Sequence, residues 1–301
     1  MVWNYIKERM LKYPMQRISD DRRSRTYIRL VEETEELAKR LCRQKYGILC
    51  SSDVLNAEAL LACMAAGVTA VPLSNRYGEL YNKKLIKSMR LSYLLVEEGG
   101  KIKVRNCGAV HSEIRKELEG ITWLLPTSGT TGQPKGVLLS GEAILQNLRD
   151  SDTFFLSEPG DKILAGRGFF HCSSLTGELL MSLIRGVEIC CYAGGFQPHQ
   201  LAEEIIRKQI TVYSGTPTVF HYLCRVMGKQ KSHISLRYCN VGGEMMNRQT
   251  LTAIGQVLKG TQVIHSYGKF VKLFAYSSWE GRKESEKKFE IEVIAFGCQQ
   301  P

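Results

Sequence analysis

Residues 124–140, LLPTSGTTGQPKGVLLS, hold hydroxyl side chains, glycines and one lysine between two short apolar runs. Gly129 and Gly132 admit positive φ, so consecutive N–H groups can converge on an anion, and Thr127, Ser128, Thr130 and Thr131 add hydroxyl donors. Lys135 adds a point charge on a turn that Pro134 stiffens. That combination suits a polyphosphate. It is not a Walker loop, whose lysine follows glycine and precedes a hydroxyl residue; here Lys135 stands between Pro134 and Gly136. The plainer reading is a Gly/Thr-rich surface turn. A second candidate is His171 in GFFHCSSLTGE, either a core residue behind two phenylalanines or a pocket residue.

Alternating strands and helices must hold these groups. YIRLVEETEELAKRLCRQ places Leu30, Leu37 and Leu41 at helical spacing, YGILC reads as a strand, and NAEALLACMAAG as a helix ended by Gly67. VTAVPLS and YLLVEE follow as strands. After the Gly-rich segment the rhythm repeats. GEAILQNLRDSDTFF, LTGELLMSLIRG, HQLAEEIIRKQ, TVFHYLCRVM and NRQTLTAIGQVLKG read as helices, and KILAG, VEICCYA, ITVYSGTP, LRYCNVGG and TQVIHSYG as strands. Parallel pairing needs such crossovers, so the expected class is α/β: two subdomains with mostly parallel sheets flanked by helices. We expect the first over residues 1–120 and the second over 121–268, joined around residues 101–120. In the divergent tail, 269–301, a charged block, EGRKESEKKFE, breaks the rhythm and FEIEVIAF alternates like a strand.

Composition narrows the function. With 301 residues, 44% hydrophobic, and a mean hydropathy of -0.18, the chain can fill two cores. No apolar run reaches the roughly 20 residues of a spanning helix, and the first residues lack an apolar signal core. The expected setting is the cytoplasm, with no membrane span. The ten cysteines, including adjacent Cys190 and Cys191, form no zinc-like spacing and read as reduced, buried thiols. The net charge of +11 is spread along the chain, with no nucleic-acid motif, and acts as a general attraction for anions such as nucleotides.

TSGTTGQPKG resembles the signature phosphate loop of the adenylate-forming (AMP-binding) superfamily, which includes acyl-CoA synthetases and peptide-synthetase adenylation domains. LLACMAAGVTAVPLS, ITVYSGTPTVFHYL, VGGEMMNRQTL and HSYG resemble further family segments in the same order, so the likeness runs from about Tyr27 to Gly268. It implies the α/β large domain of those enzymes. Thr127, Ser128, Gly129, Thr130, Thr131, Gly132 and Lys135 would hold the ATP phosphates. Gly242, Gly243 and Glu244 would line the adenine side, and Tyr267 and Gly268 would stack on and frame the base. His171 matches the histidine of the carboxylate pocket, and with Lys135 is the residue assigned to the chemistry. The implied activity is an ATP-dependent acid:thiol ligase. A carboxylate attacks the α-phosphorus to give an acyl-adenylate and pyrophosphate, and the thiol of coenzyme A or a carrier-bound pantetheine then attacks the anhydride. ATP and magnesium are the implied cofactors.

The likeness stops at Gly268. The family continues with a variable residue, then threonine and a magnesium-binding glutamate, where this chain has Lys269, Phe270 and Val271. Neither Phe nor Val offers the oxygen ligand a hard cation needs, so no metal ligand is assigned. No counterpart of the family's ribose aspartate, hinge or lysine-bearing small C-terminal domain stands before Pro301. We therefore expect a truncated or frameshifted reading frame, inactive alone, with a substituted pseudoenzyme as the second explanation. A silent nucleotide-binding or interaction module is the alternative function. A separately encoded C-terminal half or an acyl carrier protein would be its partner, and exposed apolar faces would favour association. Ser174 replaces the glycine usual three residues after the histidine. No aspartate stands in GFFHCSSL, which implies a fatty or aryl acid without an α-amine; Phe169, Phe170, Leu175 and Leu179 are either its apolar wall or a buried structural stripe.

Overall fold

A computed structural model describes residues 2–42, 45–108, 118–127, 135–229, 234–269 and 272–275, the part after Ser266 by backbone alone. Two sheets carry the fold. The first is built from β3 (Lys45–Leu49), β4 (Thr69–Pro72), β5 (Tyr93–Glu98), β6 (Lys101–Asn106), β7 (Ile121–Thr127) and β8 (Lys135–Ser140), in the order β6-β5-β3-β4-β7-β8. Its four central strands are parallel, and β6 and β8 close the edges antiparallel. The second contains β1 (Arg17–Ser19), β2 (Ser24–Thr26), β9 (Lys162–Ala165), β10 (Glu188–Cys191), β11 (Val212–Gly215), β12 (Tyr238–Gly242), β13 (Gln262–Lys269) and β14 (Lys272–Ala275), in the order β14-β13-β12-β11-β9-β10-β1-β2. Here too the outermost strands, β2 and β14, are the antiparallel ones.

The sheets do not divide the chain at residue 120. The β1–β2 hairpin pairs through Ile18 with Ile189 of β10, and β7 and β8 belong to the first sheet. Local periodicity could not show this, because both pairings join strands distant in sequence. The segment around 101–120, read as a join, contributes β6 to the first sheet. In the tail, β14 lies beside β13; FEIEVIAF is outside the described residues.

Helices cover both sheets. α1 (Val2–Met10) and α4 (Glu79–Ser88) were not expected; α2 (Tyr27–Ala38), α5 (Gly141–Asp152), α7 (Pro198–Arg207), α8 (Pro217–Met227) and α9 (Arg248–Val257) were. Side-chain caps set their starts: Thr26, Ser140, Thr216 and Asn247 each accept a hydrogen bond from the N–H three residues on. α3 (Asp53–Ala66) starts at Ser52 and ends on Gly67 at φ 68°, and ten of its residues are buried. A helix apolar on every side belongs inside, and α3 shares one core with Ile18, Trp123, Leu175 and Ile189 from both halves of the chain. LTGELLMSLIRG is not one α-helix: Ser174–Leu180 is π-helical and only α6 (Met181–Arg185) continues as α. Ser174, at its start, is fully buried; its hydroxyl donates to the Gly168 carbonyl at 2.6 Å, with the His171 carbonyl at 3.0 Å, and ties down the preceding turn.

Candidate active site at the strand ends of the second sheet

The parallel strands β9, β11, β12 and β13 run in one direction, so their C-terminal ends share one sheet edge, where open α/β sheets bind ligands. A cavity of about 250 Å³ opens there. Ser214 and Gly215 of β11, Asn240 and Gly242 of β12, and Ser266 of β13 form one side; Arg167 and His171 of the loop after β9, with Gly177 of the π-helical segment, form another, with Phe154 and Phe155 beyond α5. The Ser266 hydroxyl donates to Asn240 Oδ1 at 2.8 Å, which leaves the Asn240 amide N–H groups without a partner among the described residues.

Backbone approach dictates the glycines. A Cβ on Gly242 would stand 2.5 Å from Ser266 Oγ and 2.8 Å from its carbonyl oxygen, and Gly243 has φ +90°. Neither position accepts a side chain without displacement. His171 lies exposed at the rim, its ring 4.5 Å from Phe170. Loss of solvation first, and the charges of Arg167 and Arg76 second, hold its imidazole below the ordinary value, so it is neutral at pH 7. Cys172 beside it is pushed up to about 11 by burial and stays a thiol.

At the cavity a part-buried arginine, Arg167, meets a fully buried carboxylate, Glu178. Arg167 donates through Nε (3.2 Å) and Nη2 (2.8 Å) to one oxygen, Glu178 Oε1, while Oε2 is buried without a partner. Complete burial raises the Glu178 carboxyl above its usual range despite that arginine. Arg76 spans the neighbouring loops, donating to the carbonyls of Gly166 (2.7 Å) and Tyr192 (3.0 Å), with Asp53 at 3.8 Å.

The residues singled out from sequence fall into two groups. His171, Gly242 and Gly243 meet in the cavity. Glu244 is exposed beside it and turns its carboxylate to Thr218 Oγ1 at 2.6 Å, while its carbonyl faces His265 Nε2. Tyr267 and Gly268 lie on β13, opposite Phe274 and Leu273. Thr127 and Lys135 are paired ends of the β7–β8 hairpin on the first sheet, with Thr127 Oγ1 donating to the Lys135 carbonyl at 3.2 Å; Ser128, Gly129, Thr130, Thr131 and Gly132 lie outside the described residues. Gly136 is fixed by packing, since a Cβ there would meet Leu124 Cδ1 at 2.4 Å. Phe169, Leu175 and Leu179 are buried core, not cavity wall. The apolar wall comes instead from Phe154 and Phe155, which no motif marked, and Arg167 was legible only as a cation between two glycines in AGRGFFH.

Parallel strands presenting glycines and a cavity at their C-terminal ends define an open α/β protein with a candidate ligand site at the usual place. The family model described as AMP-binding enzyme matches residues 108–269, and the chain belongs to that family. It is 25% identical over 269 residues to the aldehyde reductase lnaA of Aspergillus flavus, a match covering 81% of this chain and 25% of that protein. Against the 2-succinylbenzoate–CoA ligase of Geobacillus kaustophilus it is 23% identical, over 88% of this chain and 58% of the ligase. The chain thus spans about a quarter to three fifths of these relatives' length. The crystal structure of the nonribosomal peptide synthetase FmoA3 superposes with a TM-score of 0.77 at 15% identity, over 97% of this chain and 34% of that one, a likeness of fold. Among the described residues no helix is long and apolar enough to cross a membrane.

Proposed function

We propose that this chain is the nucleotide- and acid-binding part of an ATP-dependent carboxylic acid:thiol ligase. The observation that carries the reading is the cavity at the strand ends, where Gly242, Gly243 and Ser266 meet His171 and Arg167. ATP fits the residues present: Gly242 and Gly243 leave the backbone bare for a flat base, and Thr127 and Lys135 bracket the turn that would take the phosphates. In the cavity an acid would be shielded from water by Phe154 and Phe155, with neutral His171 at its mouth. Positioning its carboxylate against the α-phosphorus would give the acyl-adenylate and pyrophosphate, and a thiol would then take the acyl group.

Magnesium is less well served. Among the described residues no three His, Cys, Asp or Glu groups converge as a metal site, and the sequence after Gly268 offers Lys269, Phe270 and Val271. We therefore infer that these residues bind nucleotide without turning it over, and that coenzyme A or a carrier-bound pantetheine would take the acyl group in a full cycle. A silent nucleotide-binding module is the second reading, favoured by the same three residues. Calorimetric titration with ATP, with and without magnesium, run beside carboxylate-dependent pyrophosphate exchange, tests both. Binding without exchange is expected. Measurable exchange would overturn the inactivity, and absence of binding would overturn the nucleotide site.

A further inference from the structure

Arg167 faces the cavity with a charge only half answered. Its Nε and Nη2 both go to Glu178 Oε1, and Nη1 has no partner among the described residues. The answering carboxylate is fully buried and leaves Oε2 unbonded, so Glu178 is poorly placed to remain a full anion. The same cavity is lined by the Asn240 amide and the Ser214 hydroxyl on the strands across from it. The positive field reaches His171, which both Arg167 and Arg76 press toward the neutral form.

Sheet order supplies a scale. Arg167 follows β9, and Gly242 ends β12, two strand spacings away because β11 lies between them, or about 10 Å. An acid whose reacting carboxylate meets the nucleotide at the Gly242 end therefore leaves the Arg167 end for another part of the same molecule. The cavity, at about 250 Å³, is below the roughly 300–1,000 Å³ usual for drug-sized ligands, which rules for a short acid.

We propose that the acid taken by this site carries a second carboxylate, which Arg167 receives through Nη1. This rests on the cavity being the acid pocket. A guanidinium edge donates to carboxylate oxygens, and such charge-assisted bonds are the strong ones. A plain apolar acid would instead bury the Arg167 charge against a hydrocarbon surface.

Ligand-observed NMR titration of the 301-residue chain with terephthalate and with para-toluate, matched in shape and differing in one charged end, tests the proposal. Terephthalate is expected to bind roughly tenfold or more tightly than para-toluate. In Arg167→Met that ratio should fall to about one. Because this change leaves Glu178 buried and unpaired, Arg167→Met/Glu178→Met is measured beside it, with circular dichroism to establish folding; the same loss of preference is expected. Equal binding of the two acids by the wild-type chain would overturn the second-carboxylate site while leaving the acid pocket standing. So would equal weakening of both acids in the variants, which would place Arg167 on the shared carboxylate. Binding of neither acid would overturn the pocket itself.

Discussion

Glu58 sits in the middle of α3, 8% exposed, on a helix otherwise packed with Ala, Leu and Cys. It accepts no hydrogen bond among the described residues. Burial first, and the neighbouring Glu33 second, push its carboxyl from 4.5 up to about 7, against the pull of Arg25, Arg23 and Arg29. The sign follows from proton counting. Below about pH 4.5 the group is protonated folded or unfolded and contributes nothing. Between there and pH 7 the unfolded chain releases the proton that the folded chain keeps, so stability falls by ~1.4 kcal/mol per pH unit. Above pH 7 the folded protein carries the whole cost, about 3 kcal/mol. Glu58→Gln should therefore be the more stable protein at pH 8, by up to about 3 kcal/mol and several degrees in Tm, while the two melt together near pH 4.5. Thermal melts by circular dichroism at both pH values measure this. A variant no more stable at pH 8, or one shifted equally at both, would refute the burial of an unsolvated carboxylate inside α3.

Lys135→Ala should weaken ATP binding about tenfold without lowering Tm, since the side chain is exposed on β8; unchanged affinity in calorimetry would remove Lys135 from the phosphate site. Arg237→Met should cost about 2–3 kcal/mol in urea unfolding at pH 7, because buried Asp161 would keep only Thr211 and a backbone N–H as donors. Burial would raise the Asp161 carboxyl, but the bonds from Arg237, the Glu158 N–H and Thr211 hold it below 3.8. Its contribution is present above about pH 4 and lost as pH falls through the lowered value, so the variant's stability should fall less on acidification. Gly186→Ala should cost about 1–3 kcal/mol, since Gly186 has φ +68° and a Cβ there would stand 2.4 Å from the Tyr13 ring; an unperturbed melt would contradict that contact.

The alternation of helix and strand and the helix stop at Gly67 were written locally, because periodicity and helix ends depend on residues a few positions apart; the caps at Thr26, Ser140 and Thr216 are equally local and were seen only in the structure. Residues 127–135 were singled out for the same reason, since phosphate chemistry needs its glycines, hydroxyls and lysine adjacent in the chain, and residues 128–132 lie outside the described residues. Pairings across the chain were not legible. Nothing in ISD or RIS announces that β1 will lie beside β10, and the antiparallel edges β6 and β14 follow no crossover rhythm.

The same limit governs the site. His171, Gly242 and Gly243 could be named from motifs, but Phe169, Leu175 and Leu179 could be assigned to core or cavity only once the π-helical segment set which way each side chain points. Arg167, Asn240 and Ser266 belong to three separate stretches of chain, and only the shared edge of β9, β11, β12 and β13 brings them to one cavity. Sequence by itself determined the family and most of the helices and parallel strands, which depend on residues near one another in the chain. The shape and charge of the pocket are properties of packing between distant segments, and the tertiary structure alone decided them.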